Sequence, residues 1–212
     1  MNKNTIRLYT RQNDKTLYQL NKNGRIINNR TYVKLHFGDI ANFFLESYDW
    51  YTKEASKRLP KPSDTELPIW CSISEKNCLK PIENTVVYIL DVPKEHVLYF
   101  NDQKWDYVLN RIYLPENEED RIKYESHLNS LNISDKKLSL FDSYQFTIGK
   151  FKGMFPQEEK KIIESWKRTF DVGDLNNLDI FVVCGNLWEI KKEWVTHIVY
   201  PGENLFKYVK SQ

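Results

Sequence analysis

Thr85-Val86-Val87-Tyr88-Ile89-Leu90 is the stretch that decides the fold. A strand with one wet face alternates apolar and polar residues, whereas an unbroken apolar run of this length reads as a strand buried on both faces. Asp91-Val92-Pro93 ends it, because proline cannot donate into a ladder. Shorter strand-like phrases lie on either side: Ile6-Arg7-Leu8-Tyr9-Thr10 near the start, Ile69 to Ile73 before the run and His96 to Phe100 after it. Two longer ones, Ile180 to Ile190 and Trp194 to Tyr200, lie near the end, with Lys191-Lys192-Glu193 between them as a hairpin or tight corner.

The segments between these strands have helical spacing. Asp14 is a candidate cap for a short helix carrying Leu17, Tyr18 and Leu20, and Asn23-Gly24 supplies its stop. Ile40, Phe43, Phe44, Tyr48 and Tyr51 predict a longer helix from about Phe37 to Leu59, which Pro60 terminates. Pro60 to Leu67 reads as a surface connection. Asp102 is placed to cap a helix bearing Trp105, Val108, Leu109 and Ile112. Glu116 to Asn132 reads as a solvated helix held by Ile122, Leu128 and Leu131, and Pro156 opens another with Ile162, Ile163, Trp166 and Phe170. Residues 134–155 show no clear period. The class is α+β in one domain, 1–212, with the N-terminal strand and helices packed on a mainly antiparallel, largely C-terminal sheet. Six tryptophans anchor the pattern; Trp188 and Trp194 are expected to pin the terminal hairpin.

Composition narrows the chemistry. The net charge of +2 does not by itself demand nucleic acid or a membrane. Seven glycines, with neither G-x-G-x-x-G nor G-x-x-x-x-G-K-[ST], argue against a glycine-rich phosphate loop. No apolar run approaches a membrane span, and Met1-Asn2-Lys3-Asn4-Thr5 leads directly into a strand rather than a leader's apolar region. Three cysteines, Cys71, Cys78 and Cys184, do not make a disulfide framework, so a cytoplasmic setting is expected. His36, His96, His127 and His197 are scattered, and Cys71-x6-Cys78 lacks zinc-site spacing, so no metal is expected.

Three strands carry the candidate site. The first bears Tyr9, Thr10 and Gln12, the second bears Trp70 and Ser72 on one face, and the late strand bears Glu189. Together they could enclose a nucleotide, with Tyr9 or Trp70 stacking on a ring and Glu189 as the catalytic acid stabilising positive charge beside a ribose. The plain alternative makes Tyr9 and Trp70 core residues, Thr10 a strand end and Glu189 a surface residue. A different class of function, binding nucleic acid or a protein without catalysis, would draw on Arg25, Arg30, Lys34, Lys150, Lys152, Lys160, Lys161, Lys167 and Arg168 beside exposed aromatics such as Tyr51 or Tyr113. Glu158, Glu159 and Glu164 balance the later lysines and favour a solvated helix face there.

The ordered phrases Leu8-Tyr9-Thr10-x-Gln12, Leu20-x-x-x-Gly24, Pro68-Ile69-Trp70, Leu90-Asp91-Val92-Pro93, Asp102-x-x-Trp105-x-x-x-Leu109, Ser165-Trp166-x-x-x-Phe170-Asp171 and Leu187-Trp188-Glu189-Ile190 resemble a bacterial family, the uncharacterised domain of unknown function numbered 3841. Its pattern has a glutamine before the Leu-Trp-Glu phrase, where this chain has Val183-Cys184-Gly185. The layout is similar to ADP-ribosyltransferase-like folds, which implies nicotinamide adenine dinucleotide (NAD) as the cofactor and a protein or nucleic acid as the acceptor. On that resemblance Thr10 and Gln12 contact the dinucleotide, Trp70 or Tyr9 stacks, Ser72 supports and Glu189 catalyses. Leu8-Tyr9-Thr10 stands where such folds have a His-x-Thr or Arg signature.

Overall fold

A computed structural model describes residues 4–208, and of His36 the backbone alone. The expected leaderless start therefore lies partly outside the described residues, at Met1 to Lys3. Chain contacts separate two compact units: residues up to Phe100 together with those from Gly173 onward, and Asn101–Val172.

The first unit is built on a six-stranded antiparallel sheet. Its strands are β1 (Thr5–Asn13), β3 (Ile69–Ser72), β4 (Thr85–Pro93), β5 (Leu98–Asn101), β6 (Val183–Leu187) and β8 (Val195–Val199), in the order β5-β6-β3-β1-β4-β8. A two-stranded ribbon pairs β2 (Arg25–Ile27) with β7 (Glu189–Lys191). Helices α1 (Thr16–Asn23), α2 (Arg30–Phe37) and α3 (Ala41–Ser56) fall between β1 and β3. The apolar run is β4, and Val86 to Leu90 are all buried, as an unbroken run predicts. β1 pairs with β4 along its whole length, from Thr5 opposite Pro93 to Asn13 opposite Thr85. Alternation then divides their side chains between two cores. Leu8, Val86, Tyr88 and Leu90 join Ile69, Cys71 and Leu187 beneath Leu20 of α1, Ile26 of β2 and Ile190 of β7. Tyr9, Val87 and Ile89 pack with Val199 and Leu205 on the other face.

The α+β class and antiparallel sheet are as the sequence predicts, but several local readings are corrected. β1 lies inside the sheet, because both its edges are paired, by β3 and by β4. The two late strands do not form a hairpin. β6 pairs with β3, β7 with β2 and β8 with β4, so the chain leaves the main sheet at Trp188 and returns after a 3-10 turn, Lys192–Trp194. Trp188 holds that exit by donating its indole N–H to the Leu59 carbonyl at 2.9 Å. The helix expected from near Phe37 is α3, entered through a 3-10 turn, Gly38–Ile40, whereas α2 before it has no counterpart in the sequence reading: Asn29 caps α2 through Tyr32 N–H, and Gly38, at a positive φ of 55°, separates it from α3. Asp14 does not cap α1; Asn13 Oδ1 accepts the Lys15 N–H instead. Gly24 does stop α1, with φ 71° and its N–H on the Leu20 carbonyl.

The second unit holds α4 (Asp102–Leu109), α5 (Glu118–Ser130), α6 (Tyr144–Thr147) and α7 (Pro156–Ser165). The cap of α4 is Asn101, whose Oδ1 accepts from Lys104 N–H, rather than Asp102. α5 has the expected exposed character, though its buried contacts are Tyr124 and Leu128, while Ile122 is exposed. Tyr124 stacks on Tyr113 with ring centroids 3.8 Å apart. Trp166 donates to the Ile112 carbonyl at 2.7 Å, and Ser165 Oγ accepts from Leu114 N–H at 2.9 Å.

Asn186 of β6 stands opposite Trp70, fully buried, with neither side-chain amide atom bonded to any described residue. A buried polar group without a partner costs about 1–3 kcal/mol. Asn186→Leu, similar in shape, is therefore expected to stabilise the fold by about 1 kcal/mol. Urea denaturation checks the sign; a destabilised variant would show that the amide is satisfied.

Candidate functional site

β1 and β3 are neighbours, yet they register at one pair only, Tyr9 opposite Ser72. Beyond it, toward Asn13 and Ile69, no further pairs form. Thr10 bridges this gap with its side chain: its Oγ1 donates to the Trp70 carbonyl at 2.8 Å and accepts from Gln12 Nε2 at 2.8 Å. The incomplete ladder leaves two hollows. One, of about 380 Å³, is lined by Gln12, Asn13, Lys15, Thr16 and Gln19 on one side and by Ile26, Ile27, Asn28, Tyr32, Leu35 and Ile69 on the other. The second, of about 310 Å³, takes in Tyr9 to Gln12, Ile69 to Ser72, Val33 and Tyr48. They share Gln12, Asn28 and Ile69, and each is in the size range of small-molecule sites, roughly 300–1,000 Å³.

Five of the six residues singled out from the sequence line the second hollow: Tyr9, Thr10, Gln12, Trp70 and Ser72. Their environments differ. Tyr9 is buried in the core of its face, and burial, followed by the nearby Glu75 charge, pushes its phenol up to about 12. Trp70 is half-buried, with Tyr51 and Phe100 rings at 4.6 and 4.4 Å and Tyr48 at 5.9 Å. Ser72 Oγ donates to the Asn77 carbonyl at 3.0 Å, fixing the turn after β3. Gln12 keeps a carbonyl oxygen without a partner among the described residues. So does Asn28, whose Nδ2 donates to the Pro68 carbonyl at 2.9 Å.

Glu189 is elsewhere. It lines a smaller hollow of about 140 Å³ with Leu59, Pro60, Pro62, His96, Trp188 and Trp194. Its Oε2 accepts from Arg25 Nη1 at 2.8 Å, and Lys191 Nζ lies 3.7 Å from Oε1. Arg25 also pairs with Asp64. The network ties the two ends of the β2–β7 ribbon to the loop after α3. The expected convergence of Thr10, Trp70 and Glu189 on one cleft is not found among the residues lining either hollow. The exposed aromatics expected of a flat binding patch are corrected: Tyr51 and Tyr113 are 0% and 4% exposed, because each is packed inside its own unit.

Sequence reading missed the convergence of the cysteines. Cys71, Cys78 and Cys184 all line the second hollow, brought there by β3, its following turn and β6. Nothing in their spacing, 71 to 78 to 184, signals this; Cys184 comes in only because β6 places it opposite Ser72. None is in a disulfide, and no group of three or more metal-ligating side chains forms among the described residues. Burial pushes Cys78 up to about 11 and Cys71 further. The thiolate is the reactive form. Alkylation of Cys78 in the native protein is therefore expected to be slow at neutral pH and to climb until about pH 11, while Cys71 stays unmodified. Mass spectrometry of iodoacetamide-treated protein checks this; a fast neutral reaction at Cys71 would contradict the packing.

Among the described residues no helix is long and apolar enough to cross a membrane. The model of a protein family described as a domain of unknown function (DUF3841) matches residues 7–196, from within β1 to the start of β8. No curated protein matches the chain, and no solved structure does.

Proposed function

For a chain that belongs to the DUF3841 family, we propose nucleotide binding in the paired hollows between β1 and β3. The observation that carries this reading is the gap itself. It sets the amides of Gln12 and Asn28, each with its oxygen and a second N–H uncommitted among the described residues, beside the Trp70 and Tyr48 rings, in space of ligand size. A primary amide offers one donor and one acceptor side by side, the pattern that complements the edge of adenine. An aromatic wall supplies stacking, which tolerates any base.

Thr10 serves this reading as a positioning residue. Its hydroxyl is engaged on both sides, so it orients Gln12 and holds β3 rather than reaching a ligand. Cys184 stands on the wall of the hollow, so a thiol lines that side of it. NAD belongs among the ligands to try. Transfer of ADP-ribose would require an acid within reach of the same ligand, and Glu189, held by Arg25 in a separate hollow, favours binding over transfer.

A thermal-shift titration with AMP, ATP, ADP-ribose and NAD tests the reading. A ligand at 100 times its dissociation constant adds about 2.7 kcal/mol of stability. At least one adenine ligand should raise Tm in the natural chain and lose its effect in Gln12→Ala, while Glu189→Gln leaves the shift unchanged. No shift with any of the four would refute adenine binding. A shift lost in Glu189→Gln and kept in Gln12→Ala would move the site to the smaller hollow.

A further inference from the structure

The segment from Arg11 to Leu35 carries six cations, Arg11, Lys15, Lys22, Arg25, Arg30 and Lys34, against one carboxylate, Asp14. A chain of net charge +2 thus gathers a local excess of five positive charges in the segment that supplies most of the wall of the larger hollow. Arg25 and Arg30 are spoken for, by Asp64 with Glu189 and by Asp49. Arg11, Lys15, Lys22 and Lys34 have no carboxylate partner among the described residues. Two of these four already border the hollows: Lys15 the larger and Arg11 the smaller.

Aromatic surface accompanies the charge. Lys15, Tyr18 and Lys22 recur at i, i+3 and i+7, which puts them on one stripe that flanks α1 and runs roughly 10 Å along its axis. Tyr18 is 67% exposed, and the Lys22 ammonium lies 5.4 Å from its ring centroid. Gln19, on the same helix, lines the hollow and donates to the Tyr32 hydroxyl, and Tyr32 is itself 42% exposed. A solvent-facing ring between ammonium groups, running away from a base-sized hollow, combines the two things a single strand needs, stacking and phosphate neutralisation.

We infer that the nucleotide held in the hollow is part of a single-stranded nucleic acid, whose flanking residues run over the Lys15-Tyr18-Lys22 stripe. The inference rests on the nucleotide reading of the same hollow. It adds that the chain prefers a strand to a free nucleotide, with the base of the neighbouring residue on Tyr18 and its phosphate at Lys22.

The test measures binding of a fluorescent adenine octamer, as DNA and as RNA, by anisotropy, alongside AMP by competition. Tyr18→Ala and Lys22→Ala change exposed side chains outside the hollow, so both should fold and bind AMP as the natural chain does. The octamer is expected to bind at least about tenfold more tightly than AMP at low salt, and to weaken as salt rises. Tyr18→Ala should cost about fivefold or more in octamer affinity. Lys22→Ala should lower the slope of log affinity against log salt by about 0.7. An octamer that binds no better than AMP, or whose affinity both variants leave untouched, overturns the inference and leaves nucleotide binding standing. If neither AMP nor the octamer binds, the nucleotide reading fails and takes the inference with it.

Discussion

Leu8→Ala should lose about 3–5 kcal/mol of folding stability, the range for emptying a fully buried leucine site. Leu8 is 0% exposed on β1, an interior strand, within the core formed by Tyr88, Leu90, Cys71 and Leu187. Its surroundings have little freedom to collapse, since β1 is bonded to β4 along its entire length. Gly185 gives the prediction a sharper form. A Cβ added there would lie 3.4 Å from Leu8 Cδ2 and 3.3 Å from Val97 Cγ1, so the glycine is present for space, its φ being outside the left-handed region. Gly185→Val alone should cost about 1–3 kcal/mol by overpacking. In the Leu8→Ala background the same valine enters the vacated volume, and the double variant should be more stable than the two losses added together predict. Urea denaturation of the four proteins gives the coupling; strict additivity would mean that Leu8 and Gly185 do not share the space the fold assigns them.

Trp70→Ala should cost about 3 kcal/mol, toward the low end for removal of a large aromatic because the residue is half-buried. The loss comes from the ring contacts with Tyr51, Phe100 and Tyr48. Trp70→Phe keeps an aromatic ring among those neighbours and should cost about 1 kcal/mol. The Thr10 hydroxyl bonds the Trp70 backbone carbonyl, which neither substitution removes, so the bridge across the gap persists in both. Stability and ligand binding then separate. The phenylalanine variant should fold and retain adenine binding with reduced affinity, and the alanine variant should lose binding even where it is folded. Denaturation midpoints and calorimetric titrations on the same preparations measure the two effects.

What could be read in the sequence follows from where the physics is local. The unbroken run of β4 announces burial on both faces because every one of its residues carries that signal. Gly24 announces the end of α1 because a left-handed residue is needed there. The path after Trp188 could not be read in the same way. Leu187-Trp188-Glu189-Ile190 looks continuous, and only the partners of its strands, Ile69 for Leu187 and Ile26 for Ile190, reveal that it crosses between two sheets. The same crossing explains the site. Tyr9, Thr10, Gln12, Trp70 and Ser72 come together because β1 and β3 are neighbours, a strand order that the phrases themselves do not carry. Glu189 departs because the ribbon carries it to Arg25. The meeting of three cysteines depends on the pairing of β3 with β6, which no spacing rule encodes.

The most direct measurement of the central claim, that the β1–β3 gap is a ligand site, is a footprint at Cys78, whose thiol lines the smaller of the paired hollows. Alkylation of Cys78 is followed by mass spectrometry in mildly alkaline solution, with and without a saturating adenine nucleotide. Occupancy of the gap predicts that the nucleotide slows modification of Cys78 about tenfold or more, since tenfold corresponds to protection of only about 1.4 kcal/mol, and that Gln12→Ala abolishes the protection. A nucleotide that raises Tm yet leaves the Cys78 rate unchanged would place binding outside the gap and contradict the account.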